Sequence, residues 1–288
     1  MTGNELPGVL RVTEVAPGHW QAPHPEEDPE GRDIVFSGQL LAQMIMVSAT
    51  AAGGAKETKS IHAVFARAGR YSAGPVELYL ESMHAGRAWA SDTVTARQGD
   101  QLLCRGLVLL NAVEPDLMRH QPPMPDVPGP DDGRPVGHNV IFPGAEVREV
   151  GDPSASAPDG SPVLHLWVRG PSGMGGADGR TAAHQAVVAW SQPGFIIGTA
   201  MRPHADAVDQ SQAHRSVSTG VISHTAHFHE AADVSDWLLF SHVAPYAGHG
   251  RVFGHGAVWD RSGRLVSTFA QDSMARRVER ALDPRRDM

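Results

Sequence analysis

The sequence predicts an α+β chain of two similar units, in each of which antiparallel strands wrap around an apolar helix. The second unit shows this pattern clearly, because residues 182–201 read AAHQAVVAWSQPGFIIGTAM and contain only one titratable side chain, His184. A helix that is apolar on nearly every side is buried all round rather than lying on a surface. Four segments with strand character follow and supply the covering sheet: residues 216–230, 236–245, 251–260 and 264–275.

The first half of the chain contains an earlier copy of this plan. Its helix is expected over residues 37–53, with Ser37 as the N-cap and Gly53 as the stop. The strands expected after it are joined by short links, which are typical of antiparallel neighbours: residues 60–67, 75–83, 88–97 and 101–112.

Four residues recur at a constant offset of 164 residues, which indicates an internal duplication. They are Gly86, Arg87, Arg97 and Gly99, which recur as Gly250, Arg251, Arg261 and Gly263. At the same offset Gln271 corresponds to Leu107, so the two halves do not carry the same polar group. We therefore expect a single site, in one half of the chain.

A proline-rich stretch separates the two units. Residues 114–137 read EPDLMRHQPPMPDVPGPDDGRPVG, in which most of the chain is unsuited to helix or strand. We therefore predict an N-terminal unit over residues 1–113, a linker over 114–137 and a C-terminal unit over 138–288.

The bulk composition excludes several classes of protein. A formal net charge of −8 argues against general binding to nucleic acid or to an anionic membrane. No apolar run approaches the ~18–20 residues of a membrane span, and the first residues lack the pattern of a secretion signal. Cys104 is the only cysteine, which excludes an internal disulfide, and we expect its thiol to be buried. These features predict a soluble, cytoplasmic protein.

Eight segments, in order along most of the chain, resemble the type II acyl-CoA thioesterases. The segments are VFSGQLLAQ (35–43), SIHAVFARAG (60–69), MRHQPPMP (118–125), AHQAVVAW (183–190), AMRPH (200–204), SHTAHFHE (223–230), DWLLF (236–240) and LVSTFAQDSMAR (265–276). The resemblance implies a double-hotdog fold, two antiparallel sheets each wrapped around a long central helix. It also implies hydrolysis of acyl-CoA, or of an acyl-carrier thioester, in fatty acid metabolism. Acyl-CoA is then the substrate, no separate cofactor is expected, and association into homo-oligomers is left open.

The resemblance also locates the family's catalytic groups, which are an Asp on the second helix, a Thr on the next strand and a Gln on the last strand. The Gln matches Gln271, whereas the Asp position falls on Pro193 and the Thr position on Val221. A proline inside a helix costs about 3 kcal/mol, so we predict a kink or break near Gln192.

The residues near this gap suggest substitutes for the missing groups. Gln271 could orient a water molecule, and Gln192 lies beside the expected break. Ser223 could replace the hydroxyl, and His224, on the opposite face of the same strand, could accept a proton near neutral pH. The competing interpretation is that these side chains only form hydrogen bonds within the sheet. His227 and His229 have a spacing suited to two metal ligands, but no further ligand pattern accompanies them, so we expect no metal site.

Two alternatives to hydrolysis remain open at this point. The first is a non-catalytic protein that binds acyl thioesters, because two of the family's three catalytic positions are altered. The second is a hotdog hydratase or dehydratase, which normally needs a paired histidine and acid, and no convincing pair is visible in the sequence.

Overall fold

The computed structural model describes residues 6–25, 32–54, 56–137, 141–171, 174, 182–208 and 216–277. Three α-helices lie within these residues: α1 (Ser37–Ala51), α2 (Ala182–Ser191) and α3 (Ile196–Met201). The strands of the first half are β1 (Thr13–Ala16), β2 (His19–Ala22), β3 (Glu57–Phe65), β4 (Val76–Ala85), β5 (Trp89–Gln98) and β6 (Gln101–Asn111). Those of the second half are β7 (Arg134–Pro135), β8 (Glu146–Val150), β9 (Val163–Arg169), β10 (Val217–Phe228), β11 (Leu238–Gly248), β12 (Arg251–Asp260) and β13 (Leu265–Arg277).

The strands of both halves form one continuous antiparallel sheet. Its order is β1-β2-β4-β5-β6-β3-β10-β13-β12-β11-β9-β8-β7. The two units meet at its centre, where β3 pairs with β10 from Val64↔Ser223 to Ser60↔His227. The double-hotdog architecture is therefore confirmed, and the two expected sheets are joined edge to edge into one.

The helices α1 and α2 pack against each other inside the curve of this sheet. In α2 every described residue after Ala182 is buried, as expected for a helix without a polar face. Close approach is possible because Gly38 of α1 has no side chain. A Cβ atom there would lie 2.2 Å from the carbonyl oxygen of Trp190 in α2.

The predicted break in the second helix is confirmed. The helix expected over residues 182–201 ends at Ser191, and α3 begins at Ile196. Pro193 has no N–H to donate to the preceding turn, and in a continuous helix its ring would clash with the carbonyl four residues earlier. The backbone of the second helix is therefore opened at this point, within the core.

The residues predicted as a linker lie along the outer face of the second unit. Trp167 Nε1 donates to Pro128 O at 2.9 Å, and Met124 and Val127 pack on the small cluster that contains this tryptophan. Gln121 adds two bonds, one to Gly263 O at 2.6 Å and one from the Leu265 N–H at 3.0 Å. The linker is thus fixed to the second unit, and the domain boundaries themselves stay a prediction.

The expected equivalence of Gln271 and Leu107 is wrong. The side chain of Leu107 is 47% exposed on the outer face of β6, whereas Gln271 is fully buried on the inner face of β13. Side chains alternate between faces along a strand, so a one-residue difference in register reverses the face. Each hairpin has one β-bulge, so the bulges cancel, and the difference arises in the turns: Gln98 pairs with Gln101 in the first unit, whereas Trp259 pairs with Leu265 in the second.

Two further expectations concern the thiol and the membrane. Cys104 is buried, as predicted, and burial raises the pKa of its thiol to about 12. In the part of the chain that the structure describes, no helix is long and apolar enough to cross a membrane.

Candidate functional site

Three of the predicted site residues meet inside the second unit, at the break after α2. His224 on β10 lies between two glutamine side chains, with Nδ1 3.0 Å from Gln271 Oε1 and Nε2 3.0 Å from Gln192 Oε1. All three side chains are fully buried. β10 and β13 pair so that His224 is directly opposite Gln271. The opened backbone after Ser191 places Gln192 on the other side of the imidazole.

The orientation of the Gln271 amide is fixed by its neighbours. Its Nε2 donates to Pro193 O at 3.2 Å and to Ser273 Oγ at 2.9 Å. A carbonyl oxygen only accepts, so the amide nitrogen must face Pro193 and the amide oxygen must face His224. The imidazole therefore carries its hydrogen on Nδ1.

The contact between His224 Nε2 and Gln192 has no hydrogen atom to share. Gln192 Nε2 donates to Ser267 Oγ at 2.9 Å, and that hydroxyl donates to His227 O at 2.8 Å. Gln192 therefore presents its amide oxygen to Nε2 of His224. A neutral imidazole with its hydrogen on Nδ1 has only a lone pair at Nε2, so two acceptors face each other. Protonation of His224 would turn every contact in this network into a donor–acceptor pair.

The electrostatic environment opposes that protonation in the closed site. Burial lowers the pKa of His224 from 6.5 to about 4, and the hydrogen bond to Gln271 offsets only part of this effect. The imidazole is thus neutral at physiological pH, with an unprotonated nitrogen facing Gln192. Because that contact joins two acceptors, Gln192 is the member of the network that is held least well.

Ser223 does not join this cluster. It lies on the outer face of β10, where its hydroxyl donates to Asp272 Oδ2 at 3.1 Å. Successive side chains of a strand point to opposite faces, so Ser223 and His224 cannot share one site. The structure therefore separates the predicted hydroxyl from the predicted base.

The histidine at the end of this strand and the one that follows it also lie away from the cluster. His229 contacts Thr268 Oγ1 at 2.9 Å, and His227 is exposed. No group of three or more His, Cys, Asp or Glu side chains with the geometry to hold a metal ion is found among the described residues.

A second buried histidine lies near the cluster and was not predicted from the sequence. His242 points inward from β11, and its ring lies between Phe195 and Phe269, with centroid distances of 5.5 and 5.3 Å. The ring of Phe269 also stacks on His224 at 5.7 Å. Burial lowers the pKa of His242 to about 3. A histidine inside the apolar strand DWLLFSHVAP was the available signal.

His224 and His242, the two buried histidines whose pKa is lowered to about 4 and about 3, give the free energy of unfolding a predictable pH dependence. Both have a folded-state pKa below the ordinary 6.5, so the unfolded chain takes up protons first as the solution is acidified. Their contribution is complete above about pH 6.5 and is lost as the pH falls from there towards 4. We expect the Tm to fall between pH 7.5 and pH 5 in thermal unfolding. A Tm that is flat or rises over this range would contradict the neutral, buried state of both rings.

Comparisons with known proteins agree with this arrangement of sheet and helices. A family model described as "Acyl-CoA thioesterase C-terminal domain" matches residues 119–275. The chain is 26% identical over 268 residues to mouse acyl-coenzyme A thioesterase 8, covering 84% of this chain and 80% of the relative. It is 24% identical over 263 residues to acyl-CoA thioesterase 2 of Haemophilus influenzae, covering 84% and 87%.

Solved structures show the same fold. An acyl-CoA thioesterase II from Mycobacterium marinum superposes with a TM-score of 0.78 at 20% identity, covering 94% of this chain and 97% of that one. A tesB protein from Mycobacterium avium subspecies paratuberculosis gives a TM-score of 0.75 at 21% identity, covering 93% and 97%. At these identities the superpositions establish the fold, and the chemistry must be argued from the residues.

Proposed function

The chain belongs to the type II acyl-CoA thioesterase family, and from that premise we propose that it hydrolyses acyl-CoA to free acid and CoA at the break after α2. The observation that carries the proposal is the convergence of Gln192, His224 and Gln271 in one buried cluster. It lies where the resemblance places the family's carboxylate, at Pro193. The backbone carbonyl of Pro193 here binds Gln271.

We assign His224 as the general base. A water molecule that replaces the Gln192 amide at Nε2 would give up a proton to this nitrogen while its oxygen attacks the thioester carbonyl carbon. The C–S bond then breaks, and the departing thiolate takes up the proton from the imidazolium. Gln271 Oε1 accepts the Nδ1 hydrogen throughout, so it holds the tautomer and stabilises the imidazolium as it forms. Gln271 is a positioning residue in this mechanism, and Gln192 is the group that the water molecule displaces.

Release of free thiol from acyl-CoAs of different chain length tests the proposal. Truncation of Gln271 to alanine removes the acceptor that fixes the tautomer of His224, and we expect kcat to fall by about 10²-fold, the lower end of the effect of losing a general base. Gln43→Ala is the matched control, because Gln43 is another fully buried glutamine, bonded to Val9 O and Pro23 O in the first unit. Equal turnover in the two variants would exclude a role for Gln271.

A second candidate function is binding of acyl thioesters without hydrolysis. The complete burial of the cluster favours it, because the closed site holds Gln192 where the attacking water is needed. Binding of acyl-CoA without release of thiol, for any chain length, would support this function over the first.

Hydratase or dehydratase chemistry is less well supported by the site. The hydrogen-bond partners of His224 within the described residues are two amides, and no carboxylate is paired with it. A product with altered unsaturation and an intact thioester would identify this reaction. The carrier of the acyl group, the compartment and association into homo-oligomers stay predictions.

A further inference from the structure

A cavity of about 260 Å³ lies at the end of the second unit, beside the helix that follows the break. Its inner wall consists of buried apolar side chains from α3 and from the starts of two strands: Ala200, Met201, Val217 and Val252. Largely apolar walls with a few polar groups at defined positions are typical of a site for a small organic molecule.

The charge around this cavity is positive. The exposed side chains of Arg251, Arg277 and His204 line it, and among the described residues no Asp or Glu does. Within the same part of the chain neither arginine has an ion-pair partner, although the protein carries a net charge of −8. Guanidinium groups bind carboxylates and phosphates through several N–H donors. The cavity therefore combines an apolar interior with groups suited to an anion.

The cavity is separate from the cluster of Gln192, His224 and Gln271, none of which lines it. Val217 precedes His224 by seven residues on β10, and Ala275, which also lines the cavity, follows Gln271 by four residues on β13. At ~3.3 Å per residue along a strand, these separations are about 23 and 13 Å. A ligand in the cavity would therefore leave the position of the attacking water free.

The helix α3 connects the two places. It has six residues and is joined to Gln192 by residues 193–195. A second cavity is lined by α3 and by Leu164 of β9, and Met201 contributes to the walls of both cavities. Protein cores contain few voids larger than a water molecule, so a helix between two cavities is packed less tightly than its neighbours. A shift of α3 would be passed to Gln192, the group that must leave His224 before water enters.

We propose that the cavity lined by Arg251 and Arg277 is a regulatory site for a free carboxylic acid with an apolar body, the class of product that thioester hydrolysis releases. This inference rests on the proposed function. The carboxylate would bind the two guanidinium groups, and the apolar body would lie on the buried side chains.

The structure also indicates the direction of regulation. The cavity is present while Gln192 still covers His224, and because α3 forms one wall, movement of α3 would deform it. A ligand favours the state to which it binds better. Occupancy therefore keeps Gln192 on His224, and the released acid slows further hydrolysis.

Inhibition by octanoate tests this coupling in the full chain. With the acyl-CoA that is turned over fastest, we expect saturating octanoate to lower kcat about fivefold, at the lower end of the usual coupling between two sites, while KM changes little. Inorganic phosphate, an anion without an apolar body, should leave kcat unchanged. If octanoate only raised KM, it would compete at the catalytic site, and the proposal would be wrong.

Removal of the two guanidinium groups tests the binding site itself. In the double variant with Arg251→Gln and Arg277→Gln, we expect the affinity for octanoate, measured by calorimetry, to fall about tenfold or more, because hydrogen bonds to charged groups are the stronger ones. Both side chains are exposed, so the variant should fold. Arg276→Gln is the control, since Arg276 is on the same strand but does not line the cavity. Equal affinities of the wild type and the double variant would overturn the assignment.

Filling the cavity tests the site without changing its charge. Ala275→Leu adds volume to the wall, so octanoate should bind more weakly, whereas Ala270→Leu, on the same strand but away from the cavity, should bind it as the wild type does. Unchanged binding in Ala275→Leu would place the acid elsewhere. Turnover that octanoate does not affect would reject the regulation and leave the proposed hydrolysis intact. Octanoate binding that depends on these residues, in a protein that never releases thiol, would support the site and reject the proposed hydrolysis.

Discussion

Substitution of Gly38 by alanine is expected to lower the free energy of unfolding by about 3 kcal/mol, near the upper end of the usual range for added core volume. The new Cβ atom would lie 2.2 Å from the carbonyl oxygen of Trp190 and 2.9 Å from its carbonyl carbon. Both atoms belong to the backbone of α2, so no side-chain rotation relieves the contact. The helices must separate, and the surrounding sheet limits that movement. Urea unfolding with an unchanged m-value measures the loss.

Gly220→Ala is the control for this prediction. Gly220 lies within β10, and a Cβ atom there would meet no other atom within 4 Å. Its unfolding free energy should differ from that of the wild type by less than about 1 kcal/mol, because no contact is strained. If Gly38→Ala were as stable as Gly220→Ala, the close packing of α1 on α2 would be wrong.

The same packing connects the stability of the core to the site. Trp190 is two residues from Gln192, so a displacement of α2 also displaces the amide that faces His224. We therefore expect Gly38→Ala to lower turnover more than its loss of stability alone would cause. The helix pair thus positions the site as well as filling the core.

The elements of the fold were predictable because each follows from a local pattern. Apolar residues without a polar face predicted buried helices, and alternating side chains predicted the strands; Pro193 predicted the break. The register of the repeat was not predictable, because the turns that precede Leu107 and Gln271 differ in length and so change which face each residue takes. Register depends on how one strand pairs with another across the turn, which the pattern of a single segment does not encode.

The candidate site was predictable only in part. Side chains alternate along β10, which places His224 and Ser223 on opposite faces. The alternation does not show which face is buried, so the sequence alone keeps Ser223 as a candidate. The contact of Gln192 with His224 depends on how the chain turns after Ser191, and no periodic pattern describes such a turn. His242 was missed because a lone histidine in an apolar strand carries no sign of its partners.

Substitution of His224 by glutamine is expected to abolish most of the turnover while the protein remains folded. Glutamine is uncharged and can bond to the neighbouring amides, but it cannot accept a proton near neutral pH. Loss of a general base typically costs about 10²–10⁴-fold in kcat, and we expect a decrease within this range in thiol release from acyl-CoA. Binding of a non-hydrolysable thioether analogue of acyl-CoA should be retained, because the substitution removes the base without removing a hydrogen-bonding side chain from the cluster. Turnover equal to that of the wild type would exclude His224 as the base.

The state of the His224 ring can also be observed directly, which separates a catalytic from a structural role. The network predicts a hydrogen on Nδ1 and a lone pair on Nε2, and ¹⁵N NMR of the imidazole distinguishes the two nitrogens. His184 provides an internal reference, because its Nδ1 accepts from the Val234 N–H at 3.1 Å and its hydrogen must therefore lie on Nε2. In Gln271→Ala the acceptor at Nδ1 is lost, so we expect His224 to populate both tautomers while His184 is unchanged. A hydrogen on Nε2 of His224 in the wild type would exclude proton transfer to that nitrogen and reverse the assigned roles of Gln192 and Gln271.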